Sequence, residues 1–250
     1  MKLDRLYIST IASDAAAAAR EFGLGLEIAE YCTAWNMDEH FPETHAAVTG
    51  KLAGVKNRLF HAPYNELFPC AIDLKARQLA RDRYRQAIDL ALSYGAKKVI
   101  IHGGHNPWLY YPVWYVEQSI PFWQEFMRDL PEGVELCLEN VLEDEPYMLR
   151  DIVKAVDDPR LRLCLDVGHA NAYSKIPVLQ WLTDFAPWLS HFHIHNTPGD
   201  RDAHQALFDG TIPKAELLRR ADELCPDATY TMEVLEAGPS VRWLIDANII

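Results

Sequence analysis

Val134-Glu135-Leu136-Cys137-Leu138-Glu139-Asn140, followed after a helical interval by Leu161-Arg162-Leu163-Cys164-Leu165-Asp166-Val167-Gly168-His169, decides how this chain is read. Strand period two puts Glu135, Cys137 and Glu139 on one face, with Val134, Leu136 and Leu138 on the other. In the second stretch Arg162, Cys164 and Asp166 share a face opposite Leu161, Leu163 and Leu165. The leucine faces suit packing against helices, so each acidic residue closes an apolar strand and points to the opposite side. Glu135 and Arg162, low on adjacent strands, are expected to pair.

Working outward, the same unit recurs along the chain. Strands are predicted at Leu3–Ser9, Leu24–Glu30, Arg58–Pro63, Lys97–Gly103, Val134–Asn140, Arg162–Gly168, Ser190–Asn196 and Thr229–Leu235. Helical patterns lie between them, including Asp73–Tyr94, Tyr147–Val156, Pro177–Phe185 and Lys214–Leu224. Gly23, Gly50 and Gly95 follow periodic runs and read as helix stops. Eight cycles in 250 residues is about 31 residues each, the size of one βα unit. Strict alternation without hairpins predicts a parallel sheet covered by helices, closed as a (β/α)8 barrel in one domain over residues 1–250. No G-x-G-x-x-G follows the first strand, which argues against an open dinucleotide-binding sheet.

Composition narrows the function. The formal net charge is −12, from 36 Asp+Glu against 24 Lys+Arg. Such acidity disfavours binding to DNA, whose phosphates need Lys and Arg. The densest basic run, Lys75 to Gln86, reads as the solvated face of a helix. No leader pattern or membrane span is visible, and five scattered cysteines form no disulfide framework, so a cytoplasmic protein is expected.

Chemistry collects where the strands end. The runs carry His61 in LFHAPY, His102 in VIIHGG, Glu139 in LCLENV, and Asp166 and His169 in LCLDVGH. His193 follows in HFHIHNT and Glu233 in YTMEVL. Active sites of this architecture lie at that end of the barrel. So many carboxylates in one mouth repel unless cations offset them. Histidines among carboxylates suit Zn²⁺, Mn²⁺ or Fe²⁺ rather than Ca²⁺ or Mg²⁺.

These residues, in this order, resemble the xylose isomerase-like TIM barrels. That superfamily includes AP endonuclease family 2, with endonuclease IV, and sugar phosphate isomerases and epimerases. The resemblance runs from LEIAEY to MEVLEAG. It implies nine ligands for two or three metal ions, Zn²⁺ foremost. His61, His102 and Glu139 would hold one ion, and Glu139 would bridge to a second completed by Asp166, His193 and Glu233. His169 would join Asp202 and His204, from GDRDAHQALFDG, around the third. A bridged pair supplies hydroxide near neutral pH, and a further cation stabilises phosphoryl charge.

The resemblance therefore implies a metal-dependent hydrolase of a phosphoester-type bond in a small-molecule or cofactor substrate, with Glu139 and Glu233 as the catalytic carboxylates. The alternative is a one-metal isomerase or epimerase built on Glu139, Asp166, His193 and Glu233, with His169 on a substrate hydroxyl. An abasic-site endonuclease is disfavoured by charge. His61, His102, Asp202 and His204 tip the choice toward hydrolysis, because a one-metal isomerase does not need them.

For substrate contacts, the loop after the fourth strand offers His105, Trp108, Tyr110, Tyr111, Trp114 and Tyr115 as an aromatic wall. Trp35 would contribute from the other side, and Glu145 matches a substrate-binding glutamate of epimerases. His191 and His195 share the face of His193 and are expected behind the ligands. Cys137 and Cys164 are expected in the barrel core.

Overall fold

Each apolar run becomes a short strand because a leucine face and a polar or small-residue face must be buried on opposite sides. In the computed structural model, which describes residues 1–250, the strands are β1 (Leu6–Ser9), β2 (Gly25–Ile28), β3 (Arg58–His61) and β4 (Lys98–His102). They continue as β5 (Glu135–Glu139), β6 (Leu161–Asp166), β7 (Leu189–Ile194) and β8 (Thr229–Met232). Neighbours pair parallel in chain order, and β8 pairs with β1 to close the barrel.

The covering helices are α1 (Ala15–Phe22), α2 (Ala34–Met37), α3 (Phe41–Leu52), α4 (Leu74–Ser93) and α5 (Pro112–Arg128). After these come α6 (Tyr147–Val156), α7 (Val167–Tyr173), α8 (Val178–Phe185), α9 (Lys214–Leu224) and α10 (Ala237–Asp246). None is long and apolar enough to cross a membrane.

The alternation predicted for β5 and β6 is observed. Leu136, Leu138, Leu163 and Leu165 join the outer core beneath the helices, whereas Cys137 and Cys164 pack inside the barrel with Tyr7, Leu59 and Ile100. Burial of the outer leucines stabilises the fold by roughly 1.5–3 kcal/mol each. The basic run lies on α4, where Arg81 pairs with Glu125 on α5 and Arg85 with Asp129, the residue that follows α5. Arg81 and Arg85 are therefore spent against the neighbouring helix and its end, while Lys75 stays exposed.

Four local expectations are corrected. Leu3–Arg5 form a 3-10 turn, so the first strand begins at Leu6. The sixth strand stops at Asp166 because its carboxylate caps α7, accepting the His169 N–H at 2.7 Å. Gly50 lies inside α3; the helix continues to Leu52 and the left-handed turn falls at Gly54 (φ 81°). Gly23 and Gly95, by contrast, do take left-handed conformations after α1 and α4. Glu135 pairs with Lys98, its register partner on β4, at 3.2 Å, while Arg162 donates to the Pro187 and Leu189 carbonyls.

Candidate metal centre

Barrel closure turns the strand ends into a ring. Glu139 sits at its centre: Oε2 lies 3.1 Å from His61 Nε2 and 3.5 Å from His102 Nε2. Its other oxygen, Oε1, lies 3.3 Å from both His169 Nδ1 and His193 Nδ1. The carboxylate thus faces the β3 and β4 histidines on one side and the β7 histidine on the other. Ligand atoms of His61, Glu139 and His193 fall within 4.8 Å of one another, as do those of Glu139, Asp166 and His169. All nine residues named from the sequence converge on this bowl, which encloses about 160 Å³.

Backbone and side-chain partners aim the imidazoles. His61 Nδ1 donates to the Ala62 carbonyl at 2.8 Å, freeing Nε2 toward Glu139. The Nδ1 of His204 donates to the Glu233 carbonyl at 2.7 Å, freeing Nε2 toward Asp202 at 2.9 Å. His169 Nδ1 donates to the Asn140 carbonyl at 3.0 Å, leaving Nε2 3.4 Å from Asp202. Donation of one ring nitrogen to fixed oxygen is the usual way a metal-binding histidine is oriented. Asn140 also bridges β5 to β6, donating to the Asp166 carbonyl and accepting the Asp166 N–H, each at 2.9 Å.

The loop after β7 brings in Asp202 and His204. An antiparallel bridge between Asn196 and Gln205 closes it, and the Asn196 side chain holds Leu207, Ile212 and Thr197 by their backbones. His204 adopts a left-handed conformation (φ 44°), a cost that a histidine accepts only where its surroundings impose it. His195 stacks on His204 at 4.3 Å and places Nε2 3.1 Å from Asp166 Oδ1.

A metal fits these donors. His193 Nδ1 is buried without a hydrogen-bond partner, although Glu139, Asp166 and Glu233 stand 3.3, 3.7 and 3.5 Å away. Lone pairs aimed at one another need a cation between them. Electrostatics divide the two glutamates. Burial would raise the Glu139 carboxyl, but the His193, His102 and His169 imidazoles override it and hold the group well below the usual range. Burial does raise Glu233; His193 opposes, while the charges of Glu139 and Glu27 add to the rise. His102 is pushed down to about 3 by burial, against the pull of Glu139.

The residues named for substrate contact distribute differently. His105, Trp108 and Tyr110 line a second cavity, of about 420 Å³, beside the bowl. Trp114 and Tyr115 leave that wall: Pro112 starts α5 before them, and helical periodicity turns Tyr115 into the core while Trp114 donates to the Cys70 carbonyl. Trp35 lies on α2 and is exposed, lining neither cavity. Glu145 is exposed and lines neither. Its neighbour Glu143 is the buried one, accepting from the Val141 N–H at 2.7 Å and the Tyr115 hydroxyl at 3.1 Å.

Sequence reasoning passes over one buried residue that contacts the site. Glu27 on β2 is fully buried and accepts from His193 Nε2 at 3.0 Å, His191 Nε2 at 3.2 Å and Thr231 Oγ1 at 2.6 Å. A carboxylate flanked by Leu26 and Ile28 inside an apolar strand was the available signal.

Comparison with known proteins agrees with this architecture. A family model described as the xylose isomerase-like TIM barrel matches residues 17–246. A Methanocaldococcus jannaschii protein without an assigned activity is 28% identical over 183 residues, covering 69% of this chain and 62% of its own. The fructoselysine 3-epimerase of Shigella flexneri is 26% identical over 166 residues, 63% of this chain and 58% of that protein. The chain thus spans about six-tenths of the length of these curated relatives. Among solved structures, the TTHB071 protein of Thermus thermophilus, soaked with zinc chloride, is 25% identical with a TM-score of 0.76 over 98% of both chains. A D-tagatose 3-epimerase-like protein, 21% identical over 98% of this chain and 97% of its own, shares the fold with a TM-score of 0.75. With a match running from the first covering helix to the last, this chain belongs to the xylose isomerase-like TIM barrel family.

Proposed function

We propose that this protein is a divalent-metal-dependent isomerase or epimerase of a small sugar. The observation that carries the reading is the approach of two glutamates to one imidazole. Glu139 from β5 and Glu233 from β8 reach His193 Nδ1 at 3.3 and 3.5 Å, from strands three positions apart around the barrel. The named relative that is a sugar epimerase adds support. It favours this alternative over the phosphoester hydrolysis suggested by the ligand count.

Glu139, Asp166, His193 and Glu233 would hold the cation, Mn²⁺, Fe²⁺ or Zn²⁺ by donor type. Once bound, such a cation polarises the carbonyl of an open-chain sugar. Glu139, held ionised, takes the proton from the carbon beside that carbonyl, and the electron pair moves toward the carbonyl oxygen. Glu233, whose carboxyl is held up by burial, supplies a proton to the same carbon from the other side as the carbonyl re-forms. The centre is inverted with no net change in atoms. Two carboxyls with environments that push them apart suit an acid and a base.

A second reading, phosphoester hydrolysis with additional metals, is favoured by one observation: Asp202 lies 3.4 Å from His169 and 2.9 Å from His204. The test runs both chemistries on the Mn²⁺-loaded and Zn²⁺-loaded protein. D-fructose in D2O is followed by NMR for deuterium entering beside the carbonyl, and bis(p-nitrophenyl) phosphate for nitrophenolate release. Exchange without nitrophenolate is expected. Nitrophenolate without exchange would replace the first reading by the second.

A further inference from the structure

We propose that the cavity beside the bowl is a second binding subsite, and that it takes a flat aromatic or heteroaromatic group carried by the sugar. This rests on the sugar reading above and extends it to the substrate's other end. Three observations converge. Trp108 and Tyr111 are 81% and 85% exposed, yet both line the same cavity. Large rings left open to water around one concavity are a recognition surface more often than an accident. Pro107 and Pro112 bracket this segment and restrict its backbone, which lowers the entropy the loop loses on binding.

The second observation is His105. It lines the cavity, is only 6% exposed, and neither ring nitrogen has a hydrogen-bond partner. Leaving a buried imidazole unpaired is costly unless a ligand completes it. The group that enters should therefore present a hydrogen-bonding edge as well as an apolar face. Asp144, exposed and also lining the cavity, offers a carboxylate to an amine or N–H on the same ligand.

The third observation is continuity. Tyr173 lines this cavity, and its ring lies 6.1 Å from that of His169, which lines the bowl. One molecule can span the two. At about 420 Å³ the cavity is the larger, against about 160 Å³ for the bowl. A cavity of roughly 150 Å³ already admits benzene. The inferred substrate is a ketose or related polyol joined through an amine or similar polar link to a ring.

The test is calorimetric binding to the Mn²⁺-loaded protein, comparing D-fructose with 1-anilino-1-deoxy-D-fructose. The anilino sugar should bind at least about tenfold more tightly. Trp108→Ala and His105→Ala, each checked for folding by its melting temperature, should each remove most of that preference. Trp108 is exposed enough for its variant to fold. Equal affinities, or no binding of the anilino sugar, would overturn the subsite. So would a preference that survives both substitutions. Failure of the sugar reading looks different: the anilino sugar is preferred through Trp108, but neither compound exchanges a proton for deuterium in D2O.

Discussion

Glu27 Oε1 accepts a hydrogen bond from His193 Nε2 at 3.0 Å, across the barrel from β7 to β2. The bond leaves His193 Nδ1 facing Glu139, Asp166 and Glu233. A single buried carboxylate therefore chooses which nitrogen the bowl receives. Its own charge is held by burial being outweighed by His193 and His191, which keep the carboxyl below its usual range.

Glu27→Gln should weaken divalent metal binding by roughly 10–100-fold, the usual cost of losing a carboxylate behind a metal-binding histidine. The amide nitrogen would also meet hydrogens of Thr231 or His191, which now donate to Glu27. Competition against a fluorescent chelator measures the affinity, and unchanged metal binding would refute the orienting role.

Asp166→Asn and Asp202→Asn should separate the two halves of the site. If the sugar reading holds, the Asp166 variant loses deuterium exchange by about 10²-fold or more, the scale of acid–base catalysis that depends on correct placement. The Asp202 variant should largely keep exchange, because Asp202 is not among the four residues that would hold the cation. Greater damage to exchange from Asp202→Asn would point to the second cluster as the reacting centre.

Metal-free protein should lose stability as pH rises from neutral to about 9. Burial lowers the His204 imidazole, but the Asp202 hydrogen bond and the charges of Glu233, Asp202 and Asp166 raise it to about 9. A raised histidine contributes its full stabilisation below its unfolded value, about 6.5, and loses it as pH passes the folded value. Melting temperatures in EDTA should fall across that window, and His204→Gln should flatten the slope. Metal affinity should run the opposite way, rising with pH as bound protons leave the imidazole.

Gly168→Ala should destabilise the fold by about 1–3 kcal/mol, the ordinary range for overpacking. A Cβ there would lie 1.9 Å from His195 Cε1 and 2.4 Å from Nε2. The ring would have to leave Asp166, so urea unfolding and metal affinity should both report the change. A variant with wild-type stability would show that His195 moves freely.

How much of this was legible depended on distance along the chain. The strand-terminal candidates were readable because period-two alternation and βα topology both act within a few residues. Tyr115 leaves the expected aromatic wall because Pro112 starts a helix before it, and the helical turn carries its ring into the core. Glu145 is expected at the substrate only through the resemblance to epimerases. The fold instead buries Glu143, through local bonds to Val141 and Tyr115 that spacing does not reveal. Glu27 escaped because its partners lie 164, 166 and 204 residues away.

The amino-acid sequence by itself determined the barrel and the ionisable residues that close its strands, while Asp202 and His204 were named only through the family resemblance. Alternating leucines commit one face of each strand to the helices, and parallel βα units bring every strand end to one mouth. Only the tertiary structure decided which imidazole nitrogen faces inward, that Glu27 stands behind His193, and that the aromatic loop forms a cavity of its own beside the bowl. Those outcomes depend on closure between β8 and β1 and on the directions of buried hydrogen bonds. Neither is a property of any short stretch of chain, because each donor and acceptor is matched across the barrel.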